Sequence, residues 1–303
     1  MLAVHIERGR VGVRRRPRPP RKPGHALIRL LCGGICNTDL ELVRGYYGFR
    51  GTPGHEFVGE VAEADDRAWV GKRVVGEINL ACEHCDWCRR GLGRHCPHRT
   101  VLGIVKHPGC FSEFFTLPER NLHVVPDEVP TEAAVFTEPL AAACEVLEQV
   151  EIPPGDEVAV RGPGKLGRLI ARALEAHGCR VRVYGRHDQV PRASFHWVVD
   201  ATGSAEGLRQ CLEMTAPRGT VILKSTVHGA VRVDTAPVVV NEITLVGSRC
   251  GRFEPALELL RAGKLRVDDL VAARYALGEA PRAFRQAARP GTLKVLLLPP
   301  ALQ

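Results

Sequence analysis

Four cysteines in CEHCDWCRRGLGRHC, namely Cys82, Cys85, Cys88 and Cys96, follow one another as C-x2-C-x2-C-x7-C. Four thiolates on one short loop can close a tetrahedral shell around zinc. A closed shell leaves no open position, so the metal there would be structural. The flanking residues are mostly charged or glycine and make a poor apolar core, and metal would supply the missing stability. A redox pair or an iron–sulfur cluster is the other use of such spacing. A second set lies upstream: Cys36 in GGICNTD and His55 in GTPGHEFVGEV, with Glu56 beside the histidine and Glu138 much later in TEPLAAA. Catalytic zinc takes three protein ligands of these types and keeps one place for substrate or water. Taken alone, one Cys and one His are more often core residues than ligands. A third element is RGPGKLGRLIARALEAHG, in which Gly162, Gly164 and Gly167 form G-x-G-x-x-G around Lys165 and Leu166. The strand-like EVAV precedes it and a helical pattern follows. In that context helix N-terminal amides face a pyrophosphate. Pro163 removes one N–H donor from the loop.

GICNTD, GHEFVGEV, the four-cysteine lobe, TEPLAAA and the glycine-rich loop occur in this order. The arrangement resembles the zinc-dependent medium-chain dehydrogenase/reductase family, which includes alcohol, sorbitol and threonine dehydrogenases, over nearly the whole chain. The resemblance implies an α/β protein: a GroES-like, β-rich catalytic domain at 1–139 and 251–303, and a Rossmann-type doubly wound parallel sheet at 140–250. It implies that Cys36 and His55 hold a catalytic zinc. The third ligand would be Glu138, directly or through water, with Glu56 close behind the metal and able to exchange. Asp39 matches the acid that orients the zinc histidine, and Thr38 the hydroxyl that carries the proton away. Many members extend the relay with a histidine where this chain has Glu41, so the relay differs, runs through water and Glu41, or leaves Glu41 a surface residue. Thr202 and Gly203 in DATG, Thr226 in KST, and Arg249 after ITLVGS match strand ends that line the cofactor crevice. Two zinc ions per chain, an alcohol or polyol (or the matching carbonyl) as substrate, a homodimer or homotetramer and a cytoplasmic location are also implied. A zinc-stabilised binding protein that has lost catalysis is the alternative. Tyr46, Tyr47 and Phe49 either line a substrate pocket or simply pack.

The cofactor choice turns on CRVRVYGRHDQVPRASFHWVVDATG. An acid at the end of the second strand would accept the ribose hydroxyls of NAD and repel a 2′-phosphate. Gly185-Arg186 does the reverse, because a small residue makes room and a guanidinium pairs with phosphate. His187 would assist. The expected cofactor is therefore NADP(H) in preference to NAD(H), unless Arg186 merely stacks on adenine or points into solvent. The interval is also short. Arg186 to Ser194 is nine residues, whereas a βαβ crossover needs at least about 10–12. A helix and the outermost strand are thus expected to be missing. RVRVY becomes the sheet edge, guarded by Arg180 and Arg182, in a sheet of about five strands with an open adenine pocket.

These residues need elements to hold them. The first 125 residues carry short Val-rich runs among Gly and Pro and read as a β-rich, irregular domain. TEAAVFTEPLAAACEVLEQV reads as a helix with Thr131 as N-cap. Strand and helix patterns then alternate to ITLVGS, as in a parallel sheet, and the tail closes with two helical segments and the strand KVLLL. Among 303 residues, hydrophobic types make up 45%, enough for a substantial core. No apolar run reaches the ~20 residues of a membrane helix, and the first residues lack a secretory signal's apolar segment. The net charge of +8 concentrates in the arginine- and proline-rich run between Val11 and Gly24. Without amphipathic period or interleaved aromatics it reads as a solvated turn rather than a nucleic-acid or membrane patch. Eleven cysteines, an odd number, argue against a disulfide framework. Cys32, Cys110, Cys144 and Cys250 are expected to be small core residues.

Overall fold

The computed structural model describes residues 1–226 and 230–300. The chain divides into two units, one of Met1–Glu138 with Leu260–Gln303, the other Pro139–Leu259. The return to the first unit falls within helix Phe253–Arg261 rather than at residue 251. Arg252 is still tied to the second unit through its ion pair with Glu148 at 3.0 Å.

The first unit is built on a seven-stranded sheet. Its long central strand, His25–Ile35, pairs antiparallel with Glu56–Glu63, Phe114–Pro118 and the C-terminal strand Lys294–Leu298. His25–Ile35 is buried over most of its length, on both faces, and seats Leu27, Ile28, Leu30 and Ile35 in the core. Phe57 and Phe115 meet edge-to-face with ring centroids 4.8 Å apart. The registers Gly34↔Glu56 and Val295↔Ile35 align the start of Glu56–Glu63, the end of His25–Ile35 and the start of Lys294–Leu298 at one edge of the sheet. Chemistry-bearing residues collect there. The arginine-rich run forms part of a hairpin and the coil after it, and its guanidinium groups find acids: Arg14 with Glu7, Arg18 with Glu63, Arg21 with Asp65.

The second unit carries a five-stranded parallel sheet in the order Arg180–Tyr184, Glu157–Arg161, Phe195–Asp200, Thr215–Leu223, Thr244–Gly247. This is the doubly wound order with its third strand absent. Arg180–Tyr184 is the edge, with Arg180 and Arg182 exposed and Arg182 paired to Glu157. One helix departs from expectation. TEAAVFTEPLAAACEVLEQV forms two helices, Thr131–Ala134 and Thr137–Gln149, and the first is capped by Pro130. Thr131 is a first-turn residue whose hydroxyl accepts from Arg73 at 3.2 Å. Pro139 has no N–H to give and fits only the first turn of a helix, which places the new start near Thr137. Cys32, Cys110 and Cys144 are buried, whereas Cys250 is only half-buried. Burial pushes the thiols of Cys32 and Cys144 up to about 12 and keeps them inert. Among the described residues no helix is long and apolar enough to cross a membrane.

Candidate active site

Cys36 closes the strand His25–Ile35 and caps the helix Asn37–Val43. Asp39, in the helix's first turn and fully buried, reaches back to accept from the Cys36 amide at 2.9 Å and from the Gly54 amide at 3.2 Å. Its Oδ1 also lies 3.5 Å from His55 Nδ1, an ion-pair distance. At that distance the contact falls short of a well-formed hydrogen bond, and among the described residues Nδ1 has no other hydrogen-bond partner. Burial disfavours the His55 cation, but Asp39 and Cys36 outweigh it and hold the imidazole well above its usual pKa.

The ligand atoms of Cys36, His55 and Glu56 all lie within 4.8 Å of one another. A buried carboxylate and imidazole and a half-buried thiol converging at one point suit a divalent cation that accepts N, O and S donors. Glu138 is not part of that cluster, although its charge reaches the same region. Thr38 Oγ1 stands 3.8 Å from Cys36 Sγ. Glu41, one helical turn on, pairs with Arg44. Tyr46 and Tyr47 are exposed, with hydroxyls 3.3 Å apart, and Phe49 is half-buried.

Cys82, Cys85, Cys88 and Cys96 also converge. Their Sγ–Sγ distances are 3.5 Å (Cys85–Cys88), 3.7 Å (Cys85–Cys96), 3.5 Å (Cys82–Cys96) and 4.0 Å (Cys82–Cys88). A tetrahedron with Zn–S bonds of about 2.3 Å has edges of about 3.8 Å, so the four sulfurs are set for zinc. They are far too distant for disulfides, which need about 2.05 Å. Burial opposes ionisation of Cys96, but donors from Cys82, His98 and Cys85 outweigh it and bring its thiol down to about 6.

In the second unit the glycine-rich loop joins Glu157–Arg161 to helix Lys165–His177, with Gly164 as N-cap. A Cβ on Gly167 would lie 1.9 Å from the Gly162 carbonyl oxygen, so only glycine lets the helix start this close to the strand. Lys165 and Leu166 open that helix and are half-buried. Because the strands are parallel, Thr202 and Gly203, Thr226, and Arg249 all follow the same edge of the sheet. Thr202 is fixed there by its amide and hydroxyl, which donate to Asp200 Oδ1 at 2.9 and 2.7 Å. Lys224 Nζ donates to Ser248 Oγ at 2.8 Å and to the Arg249 carbonyl at 2.5 Å. Gly185 and Arg186 begin a turn after the edge strand. The Gly185 amide donates to Asp188 Oδ2 at 2.6 Å, and the Arg186 and His187 side chains are exposed. Beside the turn, Pro163, Arg168, Arg172, Val183 and Asp188 line an open cleft of about 390 Å³. Helix Lys165–His177 walls it through Arg168, Arg172 and Glu175.

The model of the alcohol dehydrogenase GroES-like domain matches residues 22–127. Sorbitol dehydrogenase of Halalkalibacterium halodurans is 27% identical over 331 residues, covering 96% of each chain. A Sinorhizobium meliloti 1021 protein described as a zinc-binding dehydrogenase, with NADP in its structure, superposes with a TM-score of 0.89 at 25% identity, over 98% of this chain and 99% of that one. L-threonine 3-dehydrogenase of Sinorhizobium medicae is 33% identical over 243 residues, 71% of this chain and 70% of the relative. The chain belongs to the zinc-dependent medium-chain dehydrogenase/reductase family. It is an alcohol dehydrogenase-like oxidoreductase.

Sequence motifs did not reveal two buried cations in this dehydrogenase. Lys294 opens the C-terminal strand and pairs with Glu56 Oε2, both side chains nearly inaccessible at 4% and 1% exposure. Burial disfavours the ammonium, but Glu56 and Cys36, with Glu138 behind them, hold its pKa above the ordinary lysine value. Gly34 lies between the strands, where any Cβ would stand 2.6 Å from Glu56 Oε2. Arg161 ends the strand before the glycine-rich loop and is 3% exposed. The only trace of either is a lone cation at one end of an apolar strand, in KVLLL and EVAVR.

Proposed function

We propose that this dehydrogenase moves a hydride between an alcohol or polyol, or the matching carbonyl, and NADP(H), with one catalytic and one structural zinc per chain. The convergence of Cys36, His55 and Glu56 at one edge of the first unit's sheet carries this reading. Bound zinc would supply a Lewis acid for the substrate oxygen, and bound nicotinamide the hydride acceptor.

The chain's own residues do the rest. Asp39 holds the His55 ring and ties it to the start of the helix that presents Cys36. Thr38, half-buried and next to Cys36, takes the substrate hydroxyl proton and passes it to solvent. Glu41 is committed to Arg44, so it is not required for this step. Glu138 would be the third ligand, directly or through water, and Glu56, engaged at Oε2 by Lys294, would be able to exchange with it. Cys82, Cys85, Cys88 and Cys96 would hold the second zinc, which would tie the lobe together. Gly162, Gly164 and Gly167 admit the pyrophosphate to the helix N-terminus, and Arg186 is free in space to meet a 2′-phosphate. The uncharged edge strand Thr244–Gly247, with exposed Val239, Val240 and Leu245 nearby, supports a homo-oligomer, which solution mass measurement tests.

The test is metal analysis together with turnover of secondary alcohols and polyols with each cofactor, followed by nicotinamide absorbance. The expected result is two zinc ions per chain, turnover, and an NADPH preference that Arg186→Ala abolishes. One zinc and no turnover would leave a binding protein. Equal affinity for NADPH and NADH, unchanged in Arg186→Ala, would remove the NADP assignment alone.

A further inference from the structure

Arg161 occupies the last position of a central strand, immediately before the first glycine of the loop. A guanidinium has five N–H donors and no acceptor. Here each donor finds an oxygen. Nε donates to Gln210 Oε1 at 2.8 Å, and one Nη2 proton goes to the same oxygen at 2.5 Å. Nη1 donates to the Tyr184 carbonyl at 3.0 Å and also to the Gly185 carbonyl, and the second Nη2 proton points to the Arg186 carbonyl at 3.4 Å. Asp200, paired with Arg161 in register on the next strand, has its carboxyl pKa raised by burial, which the Thr202 donors and the Arg161 charge only partly offset.

Three consecutive carbonyls, those of Tyr184, Gly185 and Arg186, therefore converge on one buried side chain. These are the residues at which the edge strand ends and the shortened connection begins. A strand followed by a helix would engage such carbonyls in the helix's own ladder. No helix follows here, since the next regular element is the strand Phe195–Asp200. The Tyr184 carbonyl also accepts from the Gly162 amide at 2.9 Å. Arg161 thus joins the glycine-rich loop, the end of the edge strand and, through Gln210, the helix Ala205–Met214.

We propose that Arg161 is a positioning residue for the adenosine end of the dinucleotide, doing for the Gly185–Arg186 turn what the missing helix would otherwise do. The inference rests on the proposal that this turn meets the cofactor's ribose, but not on which dinucleotide is preferred. Burying a cation is costly unless all its donors are satisfied, and the full set of partners shows that this turn is shaped around the guanidinium. Without it, the three carbonyls lose their common donor, and what remains is the Gly162 amide on the Tyr184 carbonyl and the bonds between Gly185 and Asp188.

The experiment compares the intact, zinc-loaded wild type with Arg161→Gln, Arg161→Lys and Gln210→Met. It measures Kd for NADPH and NADH, kcat, the KM for alcohol, and amide exchange over residues 184–188. In Arg161→Gln, losing charged hydrogen bonds is expected to raise Kd for both dinucleotides about tenfold. Exchange at 184–188 should rise by at least about tenfold, while kcat at saturating cofactor and the alcohol KM stay within about threefold. Arg161→Lys, which keeps the charge and some donors, should recover part of the affinity. Gln210→Met frees the other side of the guanidinium and gives the same pattern on a smaller scale if Arg161→Gln does not fold. Unchanged exchange and Kd in these variants would overturn the inference, and so would a parallel loss of kcat, alcohol KM and cofactor affinity. Because Arg161→Gln is read on both dinucleotides, loss of the NADP assignment would show instead in wild type and Arg186→Ala.

Discussion

Lys294→Met tests the buried ion pair behind the metal cluster. The lysine and glutamate side chains are 4% and 1% exposed, so neither water nor salt can replace the lost partner. Removing one member of such a pair strands the other charge and costs about 3–5 kcal/mol. With about 2–4 °C per kcal/mol for a unit of this size, melting should fall by about 6–20 °C. The loss should be larger in metal-stripped protein than in zinc-loaded protein, because a divalent ion beside Cys36 and His55 gives the freed Glu56 carboxylate a new partner. The double variant Glu56→Gln/Lys294→Met replaces two buried charges with neutral groups of similar volume, and should recover to within about 1–2 kcal/mol of wild type. Calorimetry on both metal states, with zinc counted by mass spectrometry, makes the comparison. A single variant that loses less than about 1 kcal/mol in both states would refute the argument. A double variant no better than the single one would refute it too.

Three further outcomes follow from the geometry. Cys85→Ser should remove one of two zinc ions and expose residues 82–99 to proteolysis, leaving the Cys36 cluster loaded; metal stoichiometry and limited digestion read both. Gly167→Ala places a Cβ 1.9 Å from the Gly162 oxygen, and dinucleotide titration should show about a tenfold or greater loss of affinity at unchanged zinc content. Glu132 accepts both nitrogens of Arg274 at 2.6 and 2.5 Å, and that contact holds its pKa below the ordinary value. A depressed carboxylate stabilises the fold above the unfolded-state value of 4.5 and loses that contribution as pH falls through the folded-state value. Since the pair is partly exposed, Glu132→Gln should cost up to about 1 kcal/mol at neutral pH and nothing in acid, as urea unfolding at the two pH values will show.

The five-stranded sheet was legible because its evidence was a length. The nine residues from Arg186 to Ser194 cannot contain a helix and a strand, and RVRVY carries arginines suited to an edge. The four-cysteine lobe was legible because metal ligands on one loop are close in sequence as well as in space. The helix over 131–150 was misread because periodicity runs through Val135 and Phe136, while Pro139 sets a new start that periodicity does not weigh. Gly251 looked like a domain boundary, yet the chain stays attached through Arg252 and Glu148. Tyr46 and Tyr47, which their place between Cys36 and His55 leaves as either pocket or packing residues, follow the turn at Gly45 and are exposed.

Lys294 and Arg161 were missed for one shared reason. Motif reading assigns meaning to residues near each other in sequence, and the partners of both cations come from elsewhere: Glu56 for Lys294, and Tyr184, Gly185, Arg186 and Gln210 for Arg161. Yet each leaves a mark that physical reasoning can use. EVAVR is a central strand of a parallel sheet, covered on both faces, so a cation within it carries a desolvation cost unless its donors are met. EVAVR breaks its apolar run at the residue touching the glycine-rich loop, and KVLLL begins with the residue facing the metal cluster. At a strand end beside a ligand-binding loop, a lone cation is better read as a strut for that loop than as the first residue of solvent.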